Sequence, residues 1–197
     1  MKNRRTKNAE IFQDTEELCK NNSALVRAIQ NSIGKQYIIR EEENISVNHE
    51  HRFLKPADIV VSKKRSLEAA GAYHDLKVCV HNFASFTNPG GGVRKGSSAQ
   101  EEAICRCSTL FFNLCSGKVF KDFYCAHREL LKADILDSRY NDDCVFTPEV
   151  FVFKSDDDES RLLPERSWYK VDVITCAAPN LRAMPSNVMN LDDGKKR

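Results

Sequence analysis

NFASFTNPGGGVRKGSSAQEEAICRCSTLFFNL, residues 82–114, decides how the rest of the chain is read. It closes an apolar, β-branched run, Leu76–Phe83 (LKVCVHNF), which reads as a central strand buried on both faces. It then crosses Gly90, Gly91 and Gly92 and enters a segment of helical periodicity from about Ser98 to Leu114. Half of the chain's eight glycines fall between Gly90 and Gly96. Glycine accepts positive φ and brings backbone N–H groups to a ligand with no Cβ in the way. A loop between the carboxyl end of a strand and a helix start can gather such groups into a phosphate nest. It can equally be a tight connection without a ligand. The familiar nucleotide fingerprints are missing: no Gly-Lys-Ser/Thr follows, and G-x-G-x-x-G lacks its third glycine.

Seven residues after the glycines stand Gln100, Glu101 and Glu102. With Ser98 as N-cap, Ser98-x-x-Glu101 makes a capping box, a structural explanation for Glu101. Capping leaves Glu102 unexplained. The core face of this helix is carried by Ala99, Ala103, Cys107, Leu110, Phe111 and Leu114, with Glu102 beside it at the helix start. A carboxyl group there, next to a bound phosphate and its sugar, can serve as general acid on a departing sugar oxygen.

Working outward, Arg4–Asn21 predicts a helix with Ile11, Phe12, Thr15, Leu18 and Cys19 on one face. Ser23 then caps a second helix carrying Leu25, Val26, Ile29 and Ile33, which Gly34 ends. Tyr37–Arg40, Ile45–Val47 and Asp58–Val61 (DIVV) read as short strands, followed by a short helix over Ser66–Ala70. Phe151–Lys154 and Val171–Cys176 (VDVITC) are further strands, separated by the acidic loop DDDES, and residues 115–141 carry no clear pattern. Strands alternating with helices predict an α/β layered domain with a mixed, largely parallel sheet.

The 197 residues have room for one domain with a full core. With 41% apolar and 29% charged residues and a net charge of +2, nothing suggests disorder or direct DNA binding. No apolar run approaches the ~18 residues that span a membrane, and the polar N-terminus lacks a signal peptide's apolar core. Cys105 and Cys107 point apart on a helix, so the eight cysteines suit reduced thiols in an intracellular protein rather than a disulfide scaffold. Cys79, His81, Cys125, His127 and Cys144 offer zinc as an alternative, but no paired CxxC knuckle occurs.

NPGGG-x7-QEE after a strand ending in NFAS resembles the signature of the poly(ADP-ribose) glycohydrolases, in particular the microbial type built on a macrodomain. QDTEEL in the first helix, CRCSTL after the acids and VITCAAPN extend the likeness over most of residues 4–182. The resemblance implies α/β/α layers with an N-terminal helical extension, residues 1–35, a macrodomain-like core, residues 36–182, and a tail, residues 183–197. It implies hydrolysis of ribose–ribose O-glycosidic bonds in poly(ADP-ribose) or on ADP-ribosylated proteins, releasing ADP-ribose, without metal or cofactor. Glu102 would be the general acid and base, Glu101 would hold ribose hydroxyls, and Gln100 would orient the ligand. Gly90, Gly91 and Gly92 would line the diphosphate, and Asn88, with Ser85, would contact the distal ribose. The location implied is cytoplasmic, with the nucleus as alternative.

The family's second diphosphate loop, glycine-rich and carrying an aromatic, has no counterpart here. After Gly96 only Gly117 and Gly194 occur. The expectation is therefore a domain incomplete at its C-terminus, with VITC as an exposed edge strand. A catalytically weak or inactive ADP-ribose-binding protein is the alternative to a hydrolase.

Overall fold

The computed structural model describes residues 3–46, 54–137 and 140–180. Helix α1 spans Arg4–Asn21, as its periodicity predicts, and buries Asn8, Phe12, Thr15 and Cys19. Helix α2 (Ser23–Lys35) begins one residue earlier than the predicted Ser23 cap implies: Asn22 is the cap, and its Oδ1 accepts from the amides of Ala24 and Leu25 at 2.9 and 3.2 Å. It also runs through Gly34 rather than ending there.

Among the described residues four strands follow: β1 (Tyr37–Ile39), β2 (Cys79–Phe83), β3 (Cys144–Val152) and β4 (Tyr169–Cys176), in the sheet order β1-β3-β4-β2. The α/β class and the mixed sheet hold, but only β2 and β4 run parallel; β1–β3 and β3–β4 are antiparallel. Two strand assignments reverse. VDVITC lies in β4, an interior strand, whereas the Leu76–Phe83 run supplies β2, at the sheet's outer edge with one face buried. Its inward side chains are Val80 and Asn82, while Cys79, His81 and Phe83 face outward with Lys170 and Ile174 of β4. The DIVV run forms no strand. Ile59, Val60 and Val61 are exposed, since β-branched composition cannot make a strand without a partner edge. Ile45 and Ser46 are irregular, and Val47 and the tail from 183 onward lie outside the described residues.

The core sits between the inner face of the sheet and the helices. Phe12, Leu67, Val80, Ile104, Leu110, Leu114, Val145, Val152 and Val173 form one cluster. Each such side chain contributes roughly 1.5–3 kcal/mol by burial. Helix α3 (Ser66–Gly71) supplies Leu67. The predicted helix over residues 98–114 is divided into α4 (Gln100–Cys107) and α5 (Leu110–Leu114). Ser108 is extended because the chain there joins the sheet: it bridges Val152, and the Thr109 amide donates to Phe151 O at 2.9 Å. Residues 117–132, unassigned from the sequence, are helical: α6 (Gly117–Val119), a π-helical stretch (Phe120–Cys125) and α7 (Ala126–Lys132). All eight cysteines are free thiols, and no described helix is long and apolar enough to cross a membrane.

Helix α1 clamps the segment after the three glycines. Arg5 Nε donates to Lys95 O at 2.8 Å and Asn8 Nδ2 to Gly96 O at 3.2 Å. Gly96 has φ +73°, and a Cβ built on it would lie 1.8 Å from Arg5 O. Backbone on both sides leaves no soft direction of relief. Gly96→Ala is therefore expected to destabilise the chain by about 3 kcal/mol or more, visible as a drop in Tm on thermal unfolding. An unchanged Tm would mean that α1 does not hold this loop.

Candidate active site

The loop leaving β2 is pinned at once. The Ala84 amide donates to Cys176 O at 3.0 Å, and the Asn88 amide donates to Ser85 Oγ at 3.1 Å. Gly91 N closes a turn on Asn88 O at 2.9 Å. Gly90 and Gly91 are consecutively left-handed, with φ of +68° and +56°. That conformation is costly for any residue with a Cβ and turns the loop back over the start of α4.

The first turn of α4 meets this loop with three side chains. Gln100 behaves like a peptide unit added along the edge of β2. Its Oε1 accepts from Phe83 N at 2.9 Å, and its Nε2 donates to His81 O at 2.6 Å and to Ser66 Oγ at 3.0 Å. The predicted capping box does not form. Ala99 is the N-cap, without a side-chain cap bond. Glu101 instead accepts from Ser85 N (Oε2, 2.8 Å) and Gly90 N (Oε1, 3.1 Å). These two loop amides draw its carboxylate away from the Ser98 backbone. Glu102 Oε1 accepts from Gly92 N at 2.9 Å, while its Oε2 is buried with no hydrogen-bond partner.

Gly91 is thus required by the acids, and Gly92 by the neighbouring Ser97. A Cβ on Gly91 would lie 2.6 Å from Glu102 Oε1 and 3.0 Å from Glu101 Oε2, and one on Gly92 would lie 2.3 Å from Ser97 Oγ. The amides of Gly90 and Gly92, candidates for a phosphate nest, are occupied by the two glutamates.

Burial pushes the Glu101 carboxyl up to about 7, and the neighbouring Glu102 charge adds to the rise. The Ser85 and Gly90 amides and the Asn82 side chain oppose it. A carboxyl raised on folding binds its proton more tightly in the folded chain, so its contribution to stability is full below about pH 4.5 and is lost as pH rises through 7. The difference in unfolding free energy between wild type and Glu101→Gln is accordingly expected to fall on the order of 3 kcal/mol between pH 4.5 and 8. Denaturant titrations at several pH values measure it; parallel pH profiles for the two chains would contradict the assignment.

Beside this pair lies a cleft of about 680 Å³ lined by Ser85, Asn88, Pro89, Gly91, Gly92, Val93, Arg94, Lys95, Glu102 and Phe111. Of the residues singled out from the sequence, Ser85, Asn88, Gly91, Gly92 and Glu102 line it. Gly90, Gln100 and Glu101 stand behind it and hold it. The sequence reading missed Arg94, Lys95 and Phe111. Arg94 pairs with Glu16 at 2.7 Å and lies 5.1 Å from the Phe111 ring centroid. The basic pair that follows the glycines after one valine was the available signal. A second cavity, of about 660 Å³, opens beside Trp168, Phe146 and the start of β4. Its acids Glu149 and Asp172 are paired with lysines 35, 170 and 77, which leaves no free carboxyl for chemistry. No group of three or more His, Cys, Asp or Glu among the described residues could hold a metal ion.

Residues 3–155 match the family model described as the microbial-type PARG catalytic domain, PARG being poly(ADP-ribose) glycohydrolase. Among solved structures, the glycohydrolase of Thermomonospora curvata is 27% identical with a TM-score of 0.76, the match covering 97% of this chain and 71% of that one. The same enzyme bound to the inhibitor ADP-HPD is 25% identical over 97% and 70%, with a TM-score of 0.73. The Deinococcus radiodurans glycohydrolase in complex with ADP-ribose is 26% identical over 85% and 64%, with a TM-score of 0.65. No curated protein sequence matches the chain.

Proposed function

This chain belongs to the microbial-type poly(ADP-ribose) glycohydrolase catalytic-domain family, and from that premise we propose that it hydrolyses the ribose–ribose O-glycosidic bonds of poly(ADP-ribose) with Glu102 as general acid and base. The observation that carries this reading is the state of Glu102. One carboxylate oxygen is fixed by the Gly92 amide, and the other is buried beside the cleft without a partner. An unpaired buried carboxylate oxygen costs stability, and functional sites are where such costs are tolerated.

In the proposed reaction, the Glu102 carboxylic acid gives its proton to the departing ribose oxygen as the bond from that oxygen to the anomeric carbon breaks. The oxocarbenium-like centre is then attacked by water, whose proton returns to the Glu102 carboxylate. ADP-ribose leaves with a new anomeric hydroxyl, and Glu102 is protonated again. Both roles fall on one carboxyl, unlike the two opposed carboxylates of most glycosidases. Glu101, held by Ser85 and Gly90 behind the cleft, fixes the turn that presents Glu102, and Asn88 with Ser85 takes the distal ribose. Arg94 and Lys95 supply positive charge for the diphosphate over Gly91 and Gly92.

Binding of ADP-ribose without turnover is the competing reading. Calorimetric titration with ADP-ribose, run beside incubation with poly(ADP-ribose), separates the two. Release of ADP-ribose supports the hydrolase, binding with no release supports the reader, and neither binding nor release removes both.

A further inference from the structure

The segment that leaves β2, Ser85–Asn88, is fastened from outside the cleft by two consecutive residues of α7. Arg128 Nε donates to Thr87 O at 2.8 Å, and its Nη2 reaches Asn88 Oδ1 at 3.4 Å. Its guanidinium also lies over the Phe120 ring, 5.4 Å from the centroid. His127, fully buried, stacks on Phe86 with ring centroids 3.8 Å apart and an interplanar angle of 7°, and Tyr140 stacks on the same Phe86 ring at 4.2 Å. His127 Nδ1 faces Phe86 O at 3.3 Å and Nε2 faces Asp143 Oδ2 at 3.0 Å. These two contacts, with the stack on Phe86, fix the plane and position of the ring.

Asp143 is itself anchored. Arg40 Nη1 donates to it at 2.7 Å and the Glu41 amide at 2.9 Å. Burial would raise its carboxyl, but the bonds from His127, the Glu41 amide and Arg40 hold it well below the usual carboxylate range. The chain Arg40–Asp143–His127–Phe86 therefore ends on the residue between Ser85 and Thr87.

We propose that Arg128, with His127 behind it, is a positioning residue for the ligand-facing segment Ser85–Asn88, setting where the Asn88 side chain and the Ser85 amide stand. This rests on the reading of the cleft as a poly(ADP-ribose) site. Arg128 acts through Asn88, which meets the ligand, rather than through Glu102, whose carboxylate is held by the Gly92 amide. Its loss should therefore weaken binding more than the chemical step.

The test uses Arg128→Lys and Arg128→Met in the full chain. Neither side chain can reproduce the forked contact to a carbonyl and an amide oxygen. Both are expected to raise KM for poly(ADP-ribose), and weaken calorimetric ADP-ribose binding, about tenfold, with kcat little changed. Amide hydrogen exchange over residues 85–91 should quicken while the Tm stays near wild type. Wild-type KM and wild-type exchange in both variants would overturn the proposal. So would a lowered Tm with kcat and KM affected alike, which is the mark of a general structural role. A wild-type chain that neither binds nor cleaves brings down the functional reading instead. The exchange measurement then still decides the clamp: faster exchange in the variants supports it, and unchanged exchange ends it.

Discussion

Glu102→Gln is expected to lower hydrolysis of poly(ADP-ribose) by about three orders of magnitude or more, the upper part of the range for removing a general acid. ADP-ribose affinity and Tm should stay close to wild type. The substitution keeps the shape and one oxygen. That oxygen can still accept from Gly92 N, now 2.9 Å from Oε1. The new amide nitrogen falls where Oε2 has no partner, so no existing bond is broken. What is lost is the ability to give and take a proton. The proposed reaction uses it twice, once on the leaving ribose oxygen and once on water, so a single change affects both steps. Quantifying released ADP-ribose beside a calorimetric titration separates this from a folding defect. A variant that retains wild-type turnover would remove Glu102 from the chemistry.

Gly91→Ala is expected to cost about two to three orders of magnitude in turnover, because reacting groups displaced by an ångström lose rate on that scale. The single methyl group would stand 2.6 Å from Glu102 Oε1 and 3.0 Å from Glu101 Oε2, so both carboxylates must move. The φ of +56° adds backbone strain of the order of 1 kcal/mol. Relief by shifting the loop would break the Gly90–Glu101 and Gly92–Glu102 contacts together. The effect should appear in kcat and in stability, whereas Arg128 variants should show mainly in KM. Wild-type kcat in Gly91→Ala would show that the loop does not set the positions of the acids.

Much of the site was legible in the sequence because it is local. Three glycines, a seven-residue spacer and two acids lie within one connection, and their loop-to-helix geometry follows from chain order. Helix α1 was legible to its ends, since Phe12, Thr15 and Cys19 repeat on one face and Asn3 and Asn22 bound it. Elements that depend on distant partners were not. The edge position of β2 and the interior position of β4 follow from sheet order, which no local pattern encodes. Most of β3 escaped because Pro148 stands inside it; the register shift between Thr147 and Val150 accommodates that proline. DIVV carried strand composition without a strand to pair with.

The capping box failed for the same reason. Ser98-x-x-Glu101 is a sound local pattern, but the amides of Ser85 and Gly90 compete for the Glu101 carboxylate, and these come from sixteen and eleven residues upstream. Gln100 shows the gap in another form. Its place in the triplet suggested a ligand contact, whereas its side-chain amide closes the edge of β2 and so fixes the helix turn that carries both acids. His127 could be noticed from the sequence only as half of a weak CxH pattern. Its stack on Phe86 joins residues 41 apart.

The proposed function requires this chain to cleave the ribose–ribose bond by water attack at the anomeric carbon. The most direct measurement is mass spectrometry of the product after wild-type chain is incubated with poly(ADP-ribose) in ¹⁸O-labelled water, trapped before the anomeric hydroxyl exchanges with solvent. The predicted result is free ADP-ribose carrying one labelled oxygen on the ribose that was linked to the leaving unit. Intact polymer after prolonged incubation, in a sample that still binds ADP-ribose, would contradict it.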